Sequence, residues 1–331
     1  MSPRAPATVL ILGMLAGTAA DGNGGDEKKR KPAFTISKET TYLTSPLDKD
    51  GYPDYAAALN ERLGKGVTAD TNANVVIWRA IGPKSEGGKR MPVEYFKQMG
   101  LQEPPEAGDY FIDMSRFVRE RLQLNDSDEQ WEVVKQADAA ARQPWVATDH
   151  PHVADWLKAN EKPLNLLVEA VKRPHYFNPR VPAAGRKESA GLISALFLPG
   201  VQPCRQMTTA LAARAMLRAG EGKPDAAWQD LLACMRLGRH LARGGFLIDG
   251  LVGVALQSIA QRAALALLER PELTAKDYRG YLADLRALPP MPPPAEYADG
   301  AERFVFLDWI MVADRKGPAV IFDGLEMADR F

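Results

Sequence analysis

The chain predicts a mainly α protein, a helical-hairpin array preceded by a small irregular α/β N-terminal portion. Three observations carry this. Apolar residues recur at three- and four-residue spacing through most of residues 126–288, and Gly or Pro punctuates each run. Within that region, residues 203–243 read as two helices joined by the turn Gly220-Glu221-Gly222-Lys223-Pro224. Strand signals are confined to two short runs, Thr40 to Thr44 and Tyr110 to Ile112.

The first element is an export signal, residues 1–20. Arg4 adds to the α-amino charge, Val9 to Leu15 is apolar, and Ala16-Gly17-Thr18-Ala19-Ala20 supplies the small residues a signal peptidase accepts. The apolar run is far shorter than the ~20 residues that span a bilayer. Asp21-Gly22-Asn23-Gly24-Gly25 breaks it at once, so cleavage is expected after Ala20. Residues 21–39 follow as a flexible linker, in which Lys28 to Lys31 reads as a solvated charge run.

Residues 40–125 form an N-terminal helical region with the two short strands. Pro53 can open a helix that runs to Leu63 and stops at Gly64. Thr68 is placed to cap a second helix, Asp70 to Ile81, which Gly82-Pro83 ends. Pro92 opens a third, to Met99, closed by Gly100.

Residues 126–288 form the helical-hairpin domain. Ser127 and Gln130 have capping-box spacing ahead of a helix to about Ala141. Thr148 or Asp149 caps the next, with Pro151 near its first position, and it runs towards Val171 with a break or kink expected at Pro163. Pro174 to Pro182 is irregular, and Ser189 to Leu198 is a short apolar helix ended by Pro199-Gly200. The hairpin then pairs an Ala-rich helix, Arg205 to Ala219, with one starting at Asp225. The second helix places Ala227, Leu231, Cys234, Met235, Gly238 and Leu241 on one stripe. Gly222, Ala227 and Leu231 fall where a tetratricopeptide repeat has a turn glycine, a small residue and a bulky one. The unit resembles that repeat without its usual aromatic and proline positions, and a plain αα-hairpin is the other reading.

A second unit pairs Phe246 to Leu268 with Thr274 to Leu288. The first of these is long enough to span a bilayer but carries Asp249, Gln257, Ser258, Gln261 and Arg262. It is therefore read as a buried core helix with one polar edge, leaving no transmembrane segment after signal removal. Residues 289–294 are a stiff Pro-rich spacer. Residues 295–331 hold one more helix, Glu296 to Ala313, and then stop without a closing element, which suggests a truncated chain.

The 331 residues carry 42 basic and 42 acidic side chains, so no net field favours nucleic acid as a partner. Apolar residues make up 46% and charged residues 25%, as in soluble globular proteins. The phosphate-binding loop, the dinucleotide fingerprint, the H-E-x-x-H zinc motif and the Gly-x-Ser-x-Gly elbow are all missing. Two Cys and four His exclude a Cys-rich zinc site. No catalytic residue and no cofactor are assigned.

Three constellations invite chemistry. Asp48, Asp50 and Asp54 surround Gly51, and three carboxylates at a sharp turn suit Ca²⁺. With Gly51 as the sixth loop position, however, Ala57 stands where the bidentate Glu belongs, and an Asx turn explains the same residues. His150, His152 and Asp155 could take a metal, although a polar helix start explains them too. Arg236, Arg239, His240 and Arg243 read as a basic stripe that could hold an anion, or as a solvated helix end. In an antiparallel hairpin centred near Gly222, Cys234 falls opposite about residue 210. That leaves Cys204 roughly 9 Å away along the axis, besides the interhelical gap. A disulfide needs Cα atoms within about 7 Å, so none is expected.

The stretches Tyr42 to Asp48, Asp54 to Leu63, Trp228 to Cys234 and Gly250 to Ala255 together resemble an uncharacterised family of exported proteins from planctomycete-type bacteria. The resemblance implies export and brings no catalytic residue with it. The reading is a non-enzymatic binding or scaffold protein of the cell envelope, periplasmic or extracellular, whose partner is another envelope protein or a peptide. The alternative is an extracytoplasmic hydrolase using an Asp/Glu pair.

Overall fold

The computed structural model describes residues 32, 34–84, 90–124, 126–181 and 199–317. The segment read as a signal, most of the expected linker, the helix expected at Ser189 to Leu198 and everything beyond residue 317 lie outside the described residues. The described region is 63% helical and mainly α.

The N-terminal helices are α1 (Tyr55–Gly64), α2 (Ala73–Ile81), α3 (Val93–Gln98) and α4 (Met114–Phe117). Then come α5 (Ser127–Ala140), α6 (Pro151–Ala159) and α7 (Glu161–Ala170). The long helices are α8 (Val201–Gly220), α9 (Pro224–Leu241) and α10 (Leu247–Leu268). Finally α11 (Ala275–Ala287), α12 (Pro294–Tyr297) and α13 (Arg303–Lys316) complete the order. Five starts are set by a side-chain cap. Asp54, Asn72, Asp113 and Asp126 each accept a backbone N–H of the following turn, and Thr274 with Asp277 makes a reciprocal capping box.

Several expected boundaries move for physical reasons. Asp126, not Ser127, caps α5, and the Gln130 amide donates back to the Leu124 carbonyl. The break expected at Pro163 falls at Asn160, because Pro163 tolerates only the first turn of a new helix. Buried Asn160 occupies the joint, accepting from Ile112 N and donating to the carbonyls of Ile112 and Trp156. Neither expected strand forms among the described residues. Thr41 N–H turns back to the Ser37 carbonyl, and Phe111 N–H bonds the Ala80 carbonyl at the end of α2. Only isolated bridges occur, Leu47 with Pro53 and Asn72 with His175.

Helices α8, α9 and α10 run alternately up and down at the centre. Arg214 meets Asp230 and Cys234 reaches the Thr208 carbonyl, so α8 and α9 are antiparallel about Gly222, whose φ of +71° suits glycine. Gly238 lies against Gln257 and Ala242 against Gly253, so α9 and α10 are antiparallel as well. Helices α2 and α7 pack together beside this layer, α5 lies on α8, and α11 on α9. One buried cluster takes side chains from α2 to α11, on both sides of the boundary drawn at residue 126. A smaller cluster joins Tyr52, Tyr55 and Leu59 to Phe304 and Met311 of α13, and Leu63 touches both clusters. Cys204 and Cys234 are buried and not bridged.

Candidate functional site

The three carboxylates proposed for Ca²⁺ have other work. Asp48 Oδ1 accepts the backbone N–H groups of Asp50 and Tyr52, the expected Asx turn. Asp48 Oδ2 and Asp50 Oδ2 take the two ends of the Arg315 guanidinium at 2.9 and 3.0 Å. That guanidinium lies over the Tyr52 ring, 4.2 Å from its centroid. Asp54 points away and caps α1 through Ala57 N. A guanidinium from the far end of the chain thus stands where a cation was expected.

The other two constellations also resolve into structure. His150 packs edge-on against Trp145, while Asp155 is exposed. Among the described residues, no group of three or more His, Cys, Asp or Glu side chains is arranged to hold a metal ion. The basic stripe is divided. His240 is buried, with Nε2 3.2 Å from the Val171 carbonyl and its ring beside Tyr176. Burial pushes its pKa down to about 4, and Arg243 and Arg236 push the same way. Arg239 bonds the Gln257 amide oxygen at 2.7 Å.

Two buried ion-pair sites were not foreseen. Arg214 grips Asp230 with two hydrogen bonds, Arg218 adds a third, and Arg214 also holds Asn165 of α7. The i, i+4 pair of arginines inside an alanine-rich helix was the available signal. Arg180 is fully buried and pairs with Asp249 at 2.6 Å, donates to the Gly244 carbonyl, and lies over Phe246. Its Nε and Nη1 atoms have no hydrogen-bond partner. Burial raises the Asp249 pKa and Arg180 pulls it back. Next to this pair, Tyr95, Asn74 and Asn178 share a closed hydrogen-bond network. No local pattern could have announced the Arg180 pair, whose partners are 69 residues apart.

A cleft of about 620 Å³ runs along the α6–α7 joint, with Asp109, Lys158, Glu161, Lys162 and Glu169 among its walls. Lys162 holds Asp109 at 2.6 Å and keeps its carboxyl below the usual range, while Lys172 holds Glu169. A smaller hollow of about 440 Å³ lies between Arg79 and Pro105.

The least expected feature is the orientation of α10. The polar edge read from the sequence turns partly inward: Asp249 and Gln257 are buried, on Arg180 and Arg239. Its inner stripe is otherwise mostly small, with Gly250, Gly253, Ala260 and Ala263. Leu247, Ile248, Leu251, Val254 and Leu265 face outward, Leu251 being 57% exposed. Of the helix's most apolar stretch 44% is buried, so one face joins the core as expected while the other is left exposed. Exposed apolar residues also stand on the helices that touch the two ends of α10. At the N-terminal end of α10, Glu302 accepts from Leu247 N, and Phe306 and Ile310 follow Glu302 at i+4 and i+8. At the other end Tyr278 donates to the Leu268 carbonyl, and exposed Leu282 and Leu285 follow it on α11.

No family model, curated protein or solved structure matches this chain.

Proposed function

We propose that this protein is a non-catalytic binding or scaffold protein of the cell envelope that docks through the outer face of α10. The carrying observation is that this helix leaves five large aliphatic side chains, Leu247, Ile248, Leu251, Val254 and Leu265, exposed, while Leu256 and Leu267 join small and polar residues in the core. Ten large apolar residues on α10, α11 and α13 are each 38–64% exposed. Exposed apolar patches on a folded protein commonly mark interaction sites. The tetratricopeptide-like spacing in the α8/α9 hairpin and the signal-like N-terminus support the same reading. The hydrolase alternative gains nothing comparable. A general acid needs a raised pKa, whereas Asp109 in the larger cleft is lowered by Lys162. Asp249, which burial does raise, is held inside by Arg180.

A photo-crosslinking residue at Leu251 tests the docking face in producing cells, with one at exposed Trp131 as the control. Discrete adducts from position 251 and none from 131 are expected. Equal yields at both positions, or none at 251, would overturn the reading. Export is part of the proposal, and mass spectrometry of the mature protein should find a new N-terminus at or near Asp21.

A further inference from the structure

We infer that the occupant of the α10 face is a second copy of this chain, joined as an antiparallel two-fold dimer; this rests on the docking reading above. The outward positions of α10 are Leu247, Leu251, Val254, Ser258, Gln261 and Leu265, spaced alternately four and three residues apart. A two-fold axis at the level of Leu256 sets Leu247 against Leu265 of the second copy and Val254 against its Ser258. It also sets Leu251 against the aliphatic part of Gln261. Isologous interfaces require this kind of self-complementarity.

The flanks match under the same operation. The α13 residues Phe306 and Ile310 lie beside the start of α10, and the α11 residues Tyr278 and Leu282 lie beside its end. Antiparallel pairing brings the α13 end of one copy's α10 to the level of the α11 end of the other's. Charges complement as well. Glu302 sits at the level of Leu247, and exposed Arg262 of the second copy would fall at the level of Gly250, about 4.5 Å further along the axis. Two Glu302–Arg262 pairs would close the rim. Ten half-exposed side chains, counted with the helix surface between them, are of the order that one side of a standard interface buries, ~800 Å². A bilayer suits the face less well. Gln261 and Arg262 lie on it, and the balanced charge gives no attraction to anionic lipid.

Sedimentation velocity of the purified full chain over a micromolar range tests this. Twice the protomer mass is expected for the wild type. Val254→Glu, which sets two carboxylates near the axis, should give protomers with an unchanged circular dichroism spectrum. Trp131→Glu should remain dimeric. Glu302→Arg alone should weaken the dimer several-fold, and Arg262→Glu in the same chain should restore it. A wild type that sediments as a protomer throughout overturns the dimer, as does a dimer indifferent to Val254→Glu. Flotation of a protomeric wild type with phosphatidylcholine–phosphatidylglycerol vesicles would assign the face to lipid instead. A protomeric wild type that still forms position-251 adducts with other proteins would sink the dimer and leave the docking function standing.

Discussion

Gly238 of α9 and Gly253 of α10 meet backbone to backbone: a Cβ on Gly253 would lie 2.4 Å from the Gly238 carbonyl oxygen. No side chain fits between the two helices there. Alanine normally improves a helix by up to about 1 kcal/mol over glycine. Gly253→Ala should do the reverse, costing about 1–3 kcal/mol as the helices are forced apart. Gly280→Ala on α11, where an added methyl meets nothing within 4 Å, should stabilise by about 0.5–1 kcal/mol. Urea denaturation of the two variants would check both signs.

Asp249 is the charge partner of a fully buried arginine and also accepts Phe246 N at the start of α10. Asp249→Ala should cost about 3–5 kcal/mol, because Arg180 is left charged and unpaired in the core. Arg180→Met with Asp249→Leu should cost less than the single change. Chemical denaturation of both variants decides it; a double variant worse than Asp249→Ala would count against burial of an unpaired charge as the cause.

His240 makes stability fall in mild acid. Its folded pKa is held near 4, against the ordinary imidazole value of 6.5, chiefly by burial. As pH drops below 6.5 the unfolded chain takes a proton that the folded chain refuses. Stability is therefore lost between about pH 6.5 and 4, by at most about 3 kcal/mol from this group. His240→Gln should flatten the pH dependence of unfolding over that window. An unchanged slope between pH 7 and 5 would show that His240 does not control it.

Leu231 is fully buried mid-helix between α8 and the rest of the core. Truncation removes three carbons from a site that long, interlocked helices can close only in part. Leu231→Ala should cost about 2–5 kcal/mol, read as a melting temperature several degrees lower.

Asp48→Ala removes one of the two carboxylates on Arg315. The pair is partly exposed, so the loss should stay within about 1 kcal/mol. The melting temperature should shift equally in excess Ca²⁺ and in chelator. A shift seen only with Ca²⁺ would return these carboxylates to the metal site first read from the sequence.

The parts of this fold legible in the sequence are those decided within a turn or two of chain. Thr274 and Asp277 satisfy each other's backbone, so the start of α11 is written in four residues. Gly222 and Pro224 bend the α8/α9 hairpin, and the stripe from Ala227 to Leu241 predicted its buried face because apolar side chains there leave water together. Two strands were misplaced, since β-branched and aromatic residues at 40–44 and 110–112 find no partner strand and their backbone groups bond to nearby turns and α2 instead.

By itself, then, the sequence determined the helical class, the hairpin turn and the separation of the two cysteines, all consequences of local hydrogen bonding and periodicity. Only the tertiary structure decided which way α10 faces. A helical wheel offers one face rich in large aliphatic residues and one with more small residues, and the usual rule would bury the first. The crossing at Gly238 and Gly253 needs the small face inside, and Arg180, from a segment 69 residues earlier in the chain, needs Asp249 there too. Close packing and the cost of an unpaired buried charge together outweigh leaving Leu247, Leu251 and Val254 in water.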